Sequence, residues 1–122
     1  MTDFATIAET YLRAWNETDA TRRQALIEET WTADALYADP MAGAEGHTAI
    51  AQLIGAVHAQ FPGLVFTISR EADGHGRQLR FGWGLGEPGG TPVAYGFDVV
   101  VLDEDDRITE VRGFLDEVPA AA

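Results

Sequence analysis

The segment LRFGWGLG, residues 79–86, alternates large apolar residues with an arginine and three glycines. Successive side chains of a β-strand point to opposite faces, so the alternation predicts a strand with one apolar, buried face. Glycines on the other face would let the strand bend, or let a neighbouring segment approach its backbone closely. This stretch therefore predicts a curved sheet that is covered on one side.

Similar alternation flanks this strand. The sequence predicts further strands over Leu64–Ser69, Val93–Leu102 and Arg107 to about Asp116, separated by turns at Asp73–Gly76, Gly86–Pro92 and Asp103–Asp106. Strands that follow one another through short turns pair antiparallel, so the sheet is expected to be a meander.

The first half of the chain has helical periodicity. One helix is predicted between Thr2 and Asn16, and a second after the Thr18–Asp19 cap with apolar residues as far as Trp31. Gly43 and Gly46 mark a loop, and a third helix follows it and stops at Pro62–Gly63. Ala35 to Asp39 is expected to be extended. Three helices before antiparallel strands predict an α+β fold, in which helices cross a bent sheet to form a cone with a cavity.

Length, charge and residue composition limit the kinds of partner and location expected for the chain. At 122 residues the chain is expected to be a single domain, residues 1–122. Its formal charge of -12 argues against nucleic acid and anionic membrane surfaces as partners. Absence of cysteine, of an apolar N-terminal leader and of a long apolar run favours a cytoplasmic protein with no membrane association.

Two carboxyl groups stand out. Asp98 is the only charged residue on its face of the predicted strand 93–102, among small and apolar neighbours. Desolvation disfavours the charged form, so Asp98 is expected to have a raised pKa and to act as a hydrogen-bond donor. Asp39 precedes Pro40, which holds it extended at a strand end. Tyr11 lies in the apolar stripe of the first helix, one turn before Trp15.

Each of these residues also has a purely structural interpretation. Asp98 could cap backbone amides or pair with Arg80 or Arg112. Asp39 could form an Asx turn before the proline, and Tyr11 could be a core aromatic residue. The three residues together are more informative than each alone.

Their order along the chain carries a family resemblance. Tyr11, the segment Ala35–Pro40, Gly46 before a helix, Phe97–Val99 and Leu102–Ile108 resemble the nuclear transport factor 2-like superfamily, and within it the SnoaL-like proteins and ketosteroid isomerases. The resemblance spans about residues 5–118. It implies a cone-shaped fold of three N-terminal helices on a curved, mainly antiparallel sheet.

The resemblance also implies roles for the three residues. It makes Asp39 a general base, with Tyr11 and Asp98 as the donors of an oxyanion hole, and so implies an isomerase or a polyketide cyclase acting next to a carbonyl. Where the isomerases extend their network with further tyrosines, this chain has Trp31 and Ile54, so a shorter network is expected. The expected ligand is small, apolar or carbonyl-containing, and its pocket would be lined by Trp15, Trp31, Leu53, Val57, Phe66, Phe81, Trp83, Val100 and Leu115.

Two alternatives stay open. One is a non-catalytic domain that binds small hydrophobic ligands, because the fold alone does not determine function. The other is an epoxide hydrolase-like enzyme, which would need Arg80 or Arg112 to project between Asp39 and Asp98. No cofactor is implied, and the spacing of His47, His58 and His75 predicts no metal site. A homodimer is expected through the exposed sheet face, using Val111, Phe114 and Leu115.

Overall fold

A computed structural model describes residues 3–116, which form three helices and one six-stranded sheet. The helices are α1 (Phe4–Asn16), α2 (Ala20–Thr30) and α3 (His47–Gln60). The Asp3 carboxylate accepts a hydrogen bond from the amide of Thr6, and Asp19 caps α2 in the same way. The predicted start of the first helix at Thr2 lies outside the described residues.

The strands follow the predicted order, with one addition. Their bounds are β1 (Trp31–Ala38), β2 (Gly43–Glu45), β3 (Val65–His75), β4 (Gln78–Gly86), β5 (Ala94–Leu102) and β6 (Ile108–Leu115). In the sheet they lie in the order β2-β1-β6-β5-β4-β3. β1 and β6 pair parallel, and the other neighbours pair antiparallel. The predicted α+β fold with a curved, mainly antiparallel sheet is confirmed.

Three boundaries were predicted wrongly. Trp31 was assigned to the second helix but begins β1, where it pairs with Ile108 of β6. The segment 43–45 was expected to be loop, yet it pairs antiparallel with β1. β3 continues to His75, so the turn before β4 is shorter than predicted. Only the first difference depends on pairing with a strand distant in sequence, which local periodicity does not contain. The strand β2 has three residues, too few to show an alternating pattern. The pairing of β3 with β4 shifts register after Ile68 and again after Arg70, and these irregularities interrupt the alternation there.

The glycines of β4 behave as their pattern predicts. A Cβ atom on Gly84 would lie 2.8 Å from Pro92 Cγ, and one on Gly86 would lie 2.8 Å from Pro92 Cα. The chain after β4 therefore folds back across bare backbone. This brings the segment 91–94 to one end of the cone, where it forms part of a cavity wall.

The core lies between the helices and the concave face of the sheet. Tyr11, Trp31, Phe81, Val100 and Val111 are all at most 1% exposed in it. Val111 thus cannot contribute to an interface between subunits, which corrects the expectation for this residue. Phe114 and Leu115 are 46% and 43% exposed, so the homodimer stays a prediction that rests on other residues.

Candidate active site

Asp98 lies at the bottom of a cavity between the sheet and α1. It is 4% exposed, and it accepts two hydrogen bonds: the Tyr11 hydroxyl donates to Oδ2 at 2.8 Å, and the Trp83 indole donates from Nε1 to Oδ1 at 3.1 Å. Burial raises the pKa of Asp98 to about 6; the two hydrogen bonds oppose this shift, and the nearby Asp39 adds to it. Asp98 therefore changes protonation state close to neutral pH.

Asp39 follows the last residue of β1 and is only partly exposed. Its Oδ1 accepts hydrogen bonds from the amides of Met41 and Ala42, both at 2.8 Å. The Asx turn that Asp39 could form before Pro40 is therefore present. Its Oδ2 accepts from the Tyr37 hydroxyl at 2.7 Å. The carboxylate is thus held in one orientation by three donors, and it still lines the cavity.

Gly113 is the point at which the two acids converge. Ala38 pairs with Arg112 in the parallel ladder, which brings Asp39 beside Gly113, and Gly113 pairs with Asp98 in the antiparallel ladder. A Cβ atom on Gly113 would lie 3.0 Å from Asp98 Oδ1, 3.2 Å from Asp39 Cβ and 3.4 Å from the Tyr37 hydroxyl. Only a residue without a side chain leaves this space open.

Both tyrosines serve as neutral donors. Tyr11 is 1% exposed and Tyr37 is 6% exposed. Burial, followed by the charge of Asp98, raises the pKa of each hydroxyl above its ordinary value. Each hydroxyl therefore keeps its proton at neutral pH and donates a hydrogen bond to an acid.

The cavity has a volume of about 800 Å³ and a mostly apolar wall. Of the residues predicted to bind substrate, five line it: Trp15, Val57, Phe66, Trp83 and Leu115. The three residues with predicted catalytic roles, Tyr11, Asp39 and Asp98, line the same cavity.

Four predicted pocket residues do not line the cavity. Trp31, Phe81 and Val100 are at most 1% exposed and pack beneath it in the core, while Leu53 is a partly buried residue packed against that core. These four side chains therefore belong to the core and its margin and not to the cavity wall. Trp31 packs its ring 5.7 Å from that of Tyr11, in place of a hydrogen-bonding tyrosine.

The arginines are placed away from the acids. Arg80 pairs with Asp73 at 2.9 Å and Arg112 pairs with Glu110 at 2.8 Å, and both arginine side chains are 62% exposed. Asp98 is therefore not half of an ion pair with either. The epoxide hydrolase-like alternative, which requires one of these guanidinium groups between the acids, is contradicted.

Sequence reasoning missed two partners of the acids. Tyr37 stands two residues before Asp39, so strand alternation places the two side chains on one face and offered a usable signal. Trp83 was assigned to the pocket wall, but its bond to Asp98 depends on the register between β4 and β5. The cavity mouth was also missed; among others it includes Met41, Phe61, Pro92 and Val93.

Residues 3–116 contain no cluster of three or more His, Asp or Glu side chains arranged to hold a metal ion. Within the same range, every helix is too short or too polar to span a bilayer.

Comparison with known proteins gives the family and the fold of this chain. The SnoaL-like domain family matches residues 8–111. A candidate isomerase of the SnoaL-like family from Agrobacterium tumefaciens is 46% identical, covers 96% of this chain and 100% of its own, and superposes with a TM-score of 0.91. A search among curated proteins finds no match.

Two more distant structures share the fold. A candidate polyketide cyclase from Sinorhizobium meliloti is 20% identical over 88% of this chain and 93% of its own, with a TM-score of 0.68. A protein with a ketosteroid isomerase-like fold from Catenulispora acidiphila, in complex with trimethylamine, is 20% identical over 91% and 85%, with a TM-score of 0.72. The family match over most of the chain decides the assignment: this protein belongs to the SnoaL-like domain family.

Proposed function

We propose that the protein is an enzyme that abstracts a proton next to a carbonyl group, as an isomerase or a cyclase. One observation carries the proposal: a fixed carboxylate, Asp39, and a buried acid with a raised pKa, Asp98, line one apolar cavity. The different environments of the two acids suit them to opposite roles: one accepts a proton and the other donates a hydrogen bond. The relative at 46% identity is described as a candidate isomerase, which supports the isomerase form of this proposal.

Asp39 is the general base. Its turn and the Tyr37 hydroxyl hold the carboxylate at the cavity wall, so it approaches a bound ligand without first ordering a flexible side chain. A positioned carboxylate contributes about two to four orders of magnitude to the rate of a proton transfer. The C–H bond next to the carbonyl breaks, its proton passes to Asp39, and the electron pair forms an enolate.

Tyr11 and Asp98 stabilise the enolate oxygen. In the free protein the Tyr11 hydroxyl donates to Asp98 Oδ2. When Asp98 carries a proton, it is neutral, and the hydrogen bond from Tyr11 to it is weaker. The Tyr11 hydroxyl and the Asp98 carboxyl O–H can then both donate to the ligand oxygen. In an isomerase, Asp39 then returns the proton to the γ carbon; in a cyclase, the enolate carbon attacks a second carbonyl carbon and the resulting alkoxide takes the proton.

The test uses a small neutral β,γ-unsaturated ketone, cyclohex-3-enone. Conversion to the conjugated ketone is followed by ultraviolet absorbance, and proton abstraction alone by deuterium uptake from D₂O. We expect the protein to accelerate deuterium uptake and the heat-denatured protein not to do so. If ketones that bind in the cavity exchange no faster than in buffer, the proposal is wrong.

Tyr11→Phe is expected to lower the exchange rate by about two orders of magnitude, because one preorganised donor to the enolate oxygen is lost. Tyr95→Phe is the matched control, since Tyr95 lies on β5 but outside the cavity lining. Ligand affinity should change little, so the effect appears in kcat. Equal loss in both variants would contradict the oxyanion role of Tyr11.

Gly113→Ala is expected to lower the exchange rate by about tenfold. The added methyl group would lie 3.0 Å from Asp98 Oδ1 and 3.2 Å from Asp39 Cβ, so these groups must shift by a few tenths of an ångström. A displacement of about 1 Å can cost a hundredfold in rate, and this smaller shift should cost less. Gly43→Ala is the control, because its Cβ would meet its nearest neighbour, the Tyr37 carbonyl oxygen, at an ordinary 3.5 Å. A Gly113→Ala variant that folds and keeps full activity would show that the space between the acids is not used.

A second candidate function is ligand binding without catalysis. The cavity mouth favours it, since Met41, Val93 and Phe114 there are 76%, 52% and 46% exposed and offer apolar contact area. The neighbour from Catenulispora acidiphila holds a small molecule in the same fold. Ligands that bind tightly but exchange no protons in the assay above would select this function.

A further inference from the structure

Four aromatic rings form a continuous arc in the cavity wall. Tyr37, Trp15, Phe66 and Trp83 contact one another in that order, with ring centroids 5.4, 5.4 and 5.3 Å apart. Successive rings are inclined by 50°, 71° and 80°, so none of them stacks flat on the next. We call these four residues the aromatic arc, and all of them line the cavity.

Each end of the aromatic arc is hydrogen-bonded to an acid. Tyr37 donates to Asp39 and Trp83 donates to Asp98. The two acids in turn approach each other across the open space at Gly113. The four rings and the two carboxyl groups thus lie next to one another in one part of the cavity wall, and each acid is held beside a ring.

The charges of the cavity all have one sign. Among the lining residues that the structure describes, Asp39 and Asp98 are the charged ones, and lysine, arginine and histidine are missing. The formal charge of the whole chain is -12. A carboxylate or phosphate in this cavity would be repelled at both short and long range, whereas a cation would be attracted.

We propose that the cavity binds an organic ammonium group, tertiary or quaternary, enclosed by the aromatic arc and the two acids. The faces of aromatic rings attract such a cation, and its methyl groups suit an apolar wall. A small metal ion would not be compensated there for its lost hydration, because it requires more oxygen ligands than two carboxyl groups supply. Tryptophan contributes most to this attraction, and the aromatic arc contains two.

This inference goes beyond the proposed reaction and does not depend on it. A cation favours the ionised form of Asp98, whereas the proposed enolate needs the protonated form. Three other titratable groups face the Asp98 carboxyl group: Tyr11 on α1, Tyr37 on β1, and Asp39 just after β1. Both tyrosines stay neutral. Ammonium binding should therefore strengthen as the pH rises through about 6.

Three probes of nearly equal shape test the proposal: choline, its neutral analogue 3,3-dimethylbutan-1-ol, and the anion 3,3-dimethylbutanoate. Binding is followed by tryptophan fluorescence and by NMR chemical shifts at a pH above 6. We expect choline to bind at least about tenfold more tightly than the alcohol, which is the scale of a desolvated cation–π contact. The anion should bind more weakly than both.

Phe66→Leu separates the aromatic arc from simple size. Leucine keeps an apolar side chain at this position, so choline affinity should fall about fivefold or more while affinity for the alcohol changes little. Phe97→Leu is the control, because Phe97 stacks on Phe114 and does not line the cavity. Asp39→Asn should also weaken choline selectively.

The proposal is wrong if the alcohol binds as tightly as choline, if choline shows no binding, or if Phe66→Leu weakens both probes equally. The wild-type comparison of probes needs no variant, so a folding defect in Phe66→Leu would not rescue a negative result. Failure of the ketone exchange assay leaves these outcomes unchanged. Conversely, an active ketone isomerase that prefers the neutral alcohol would overturn only the ammonium proposal.

Discussion

Asp39→Asn is expected to reduce the rate of proton abstraction by about two to four orders of magnitude, because the general base is removed. Asparagine has nearly the same shape, and its carbonyl oxygen can still accept hydrogen bonds from the amides of Met41 and Ala42. The Tyr37 hydroxyl can in turn accept from the new amide group. The cavity should therefore keep its form and its affinity for neutral ketones, and the loss should appear in kcat.

Asp34→Asn is the matched control for this substitution. Asp34 lies on β1 as well, but its side chain is exposed and does not line the cavity. Exchange of deuterium into a bound ketone is measured for both variants and for the wild type. An Asp39→Asn variant that exchanges at the wild-type rate would remove the base from the proposed mechanism and favour binding without catalysis.

Asp98→Asn is expected to change how stability depends on pH. The pKa of Asp98 in the folded protein is about 6, above the ordinary value of 3.8. Its contribution to stability is therefore fully present below about pH 3.8 and is lost as the pH rises through 6. Two pKa units correspond to about 3 kcal/mol in the free energy of unfolding. Relative to wild type, the asparagine variant should gain about this amount between acidic and neutral pH.

Chemical denaturation over a series of pH values measures this difference. In the Asp98→Asn variant the new amide side chain would still accept from the Trp83 indole and could donate to the Tyr11 oxygen, so the network is preserved. Asp73→Asn is the control of opposite sign, because the hydrogen bond from Arg80 lowers the pKa of Asp73. A stability difference for Asp98→Asn that does not vary with pH would mean that Asp98 is not desolvated, and its role as a neutral donor would fall with it.

Much of the fold could be predicted from local patterns. The alternation around residues 79–86 gave the buried face of β4, and helical stripes gave the three helices. What the patterns could not give was pairing between distant strands, so Trp31 was assigned to a helix although it starts β1 beside β6. The short strand β2 was missed for a different reason: its three residues, Gly43–Glu45, are too few to show an alternating pattern.

The candidate site was predictable to the same degree. Periodicity identifies which side chains share a face of a strand, and it put Asp98 with Val100 on one strand and Phe81 with Trp83 on the next. It does not give the depth of a residue in the fold, so Phe81 and Val100, which lie in the core, were assigned to the pocket wall together with Trp83. The Trp83 donor to Asp98 follows from the register between β4 and β5, which appears only in three dimensions, whereas the spacing of Tyr37 and Asp39 was readable in the sequence.

The row Asp39, Gly113, Asp98 crosses three adjacent strands, and this has a consequence for how the protein fails. The separation of the two acid backbones equals two interstrand spacings, roughly 10 Å, and is as rigid as the ladder itself. A slip of one residue in either ladder would turn one acid to the convex side of the sheet. Activity at this site therefore depends on correct strand register. A variant misaligned at β6 would become inactive while its secondary structure content stayed normal.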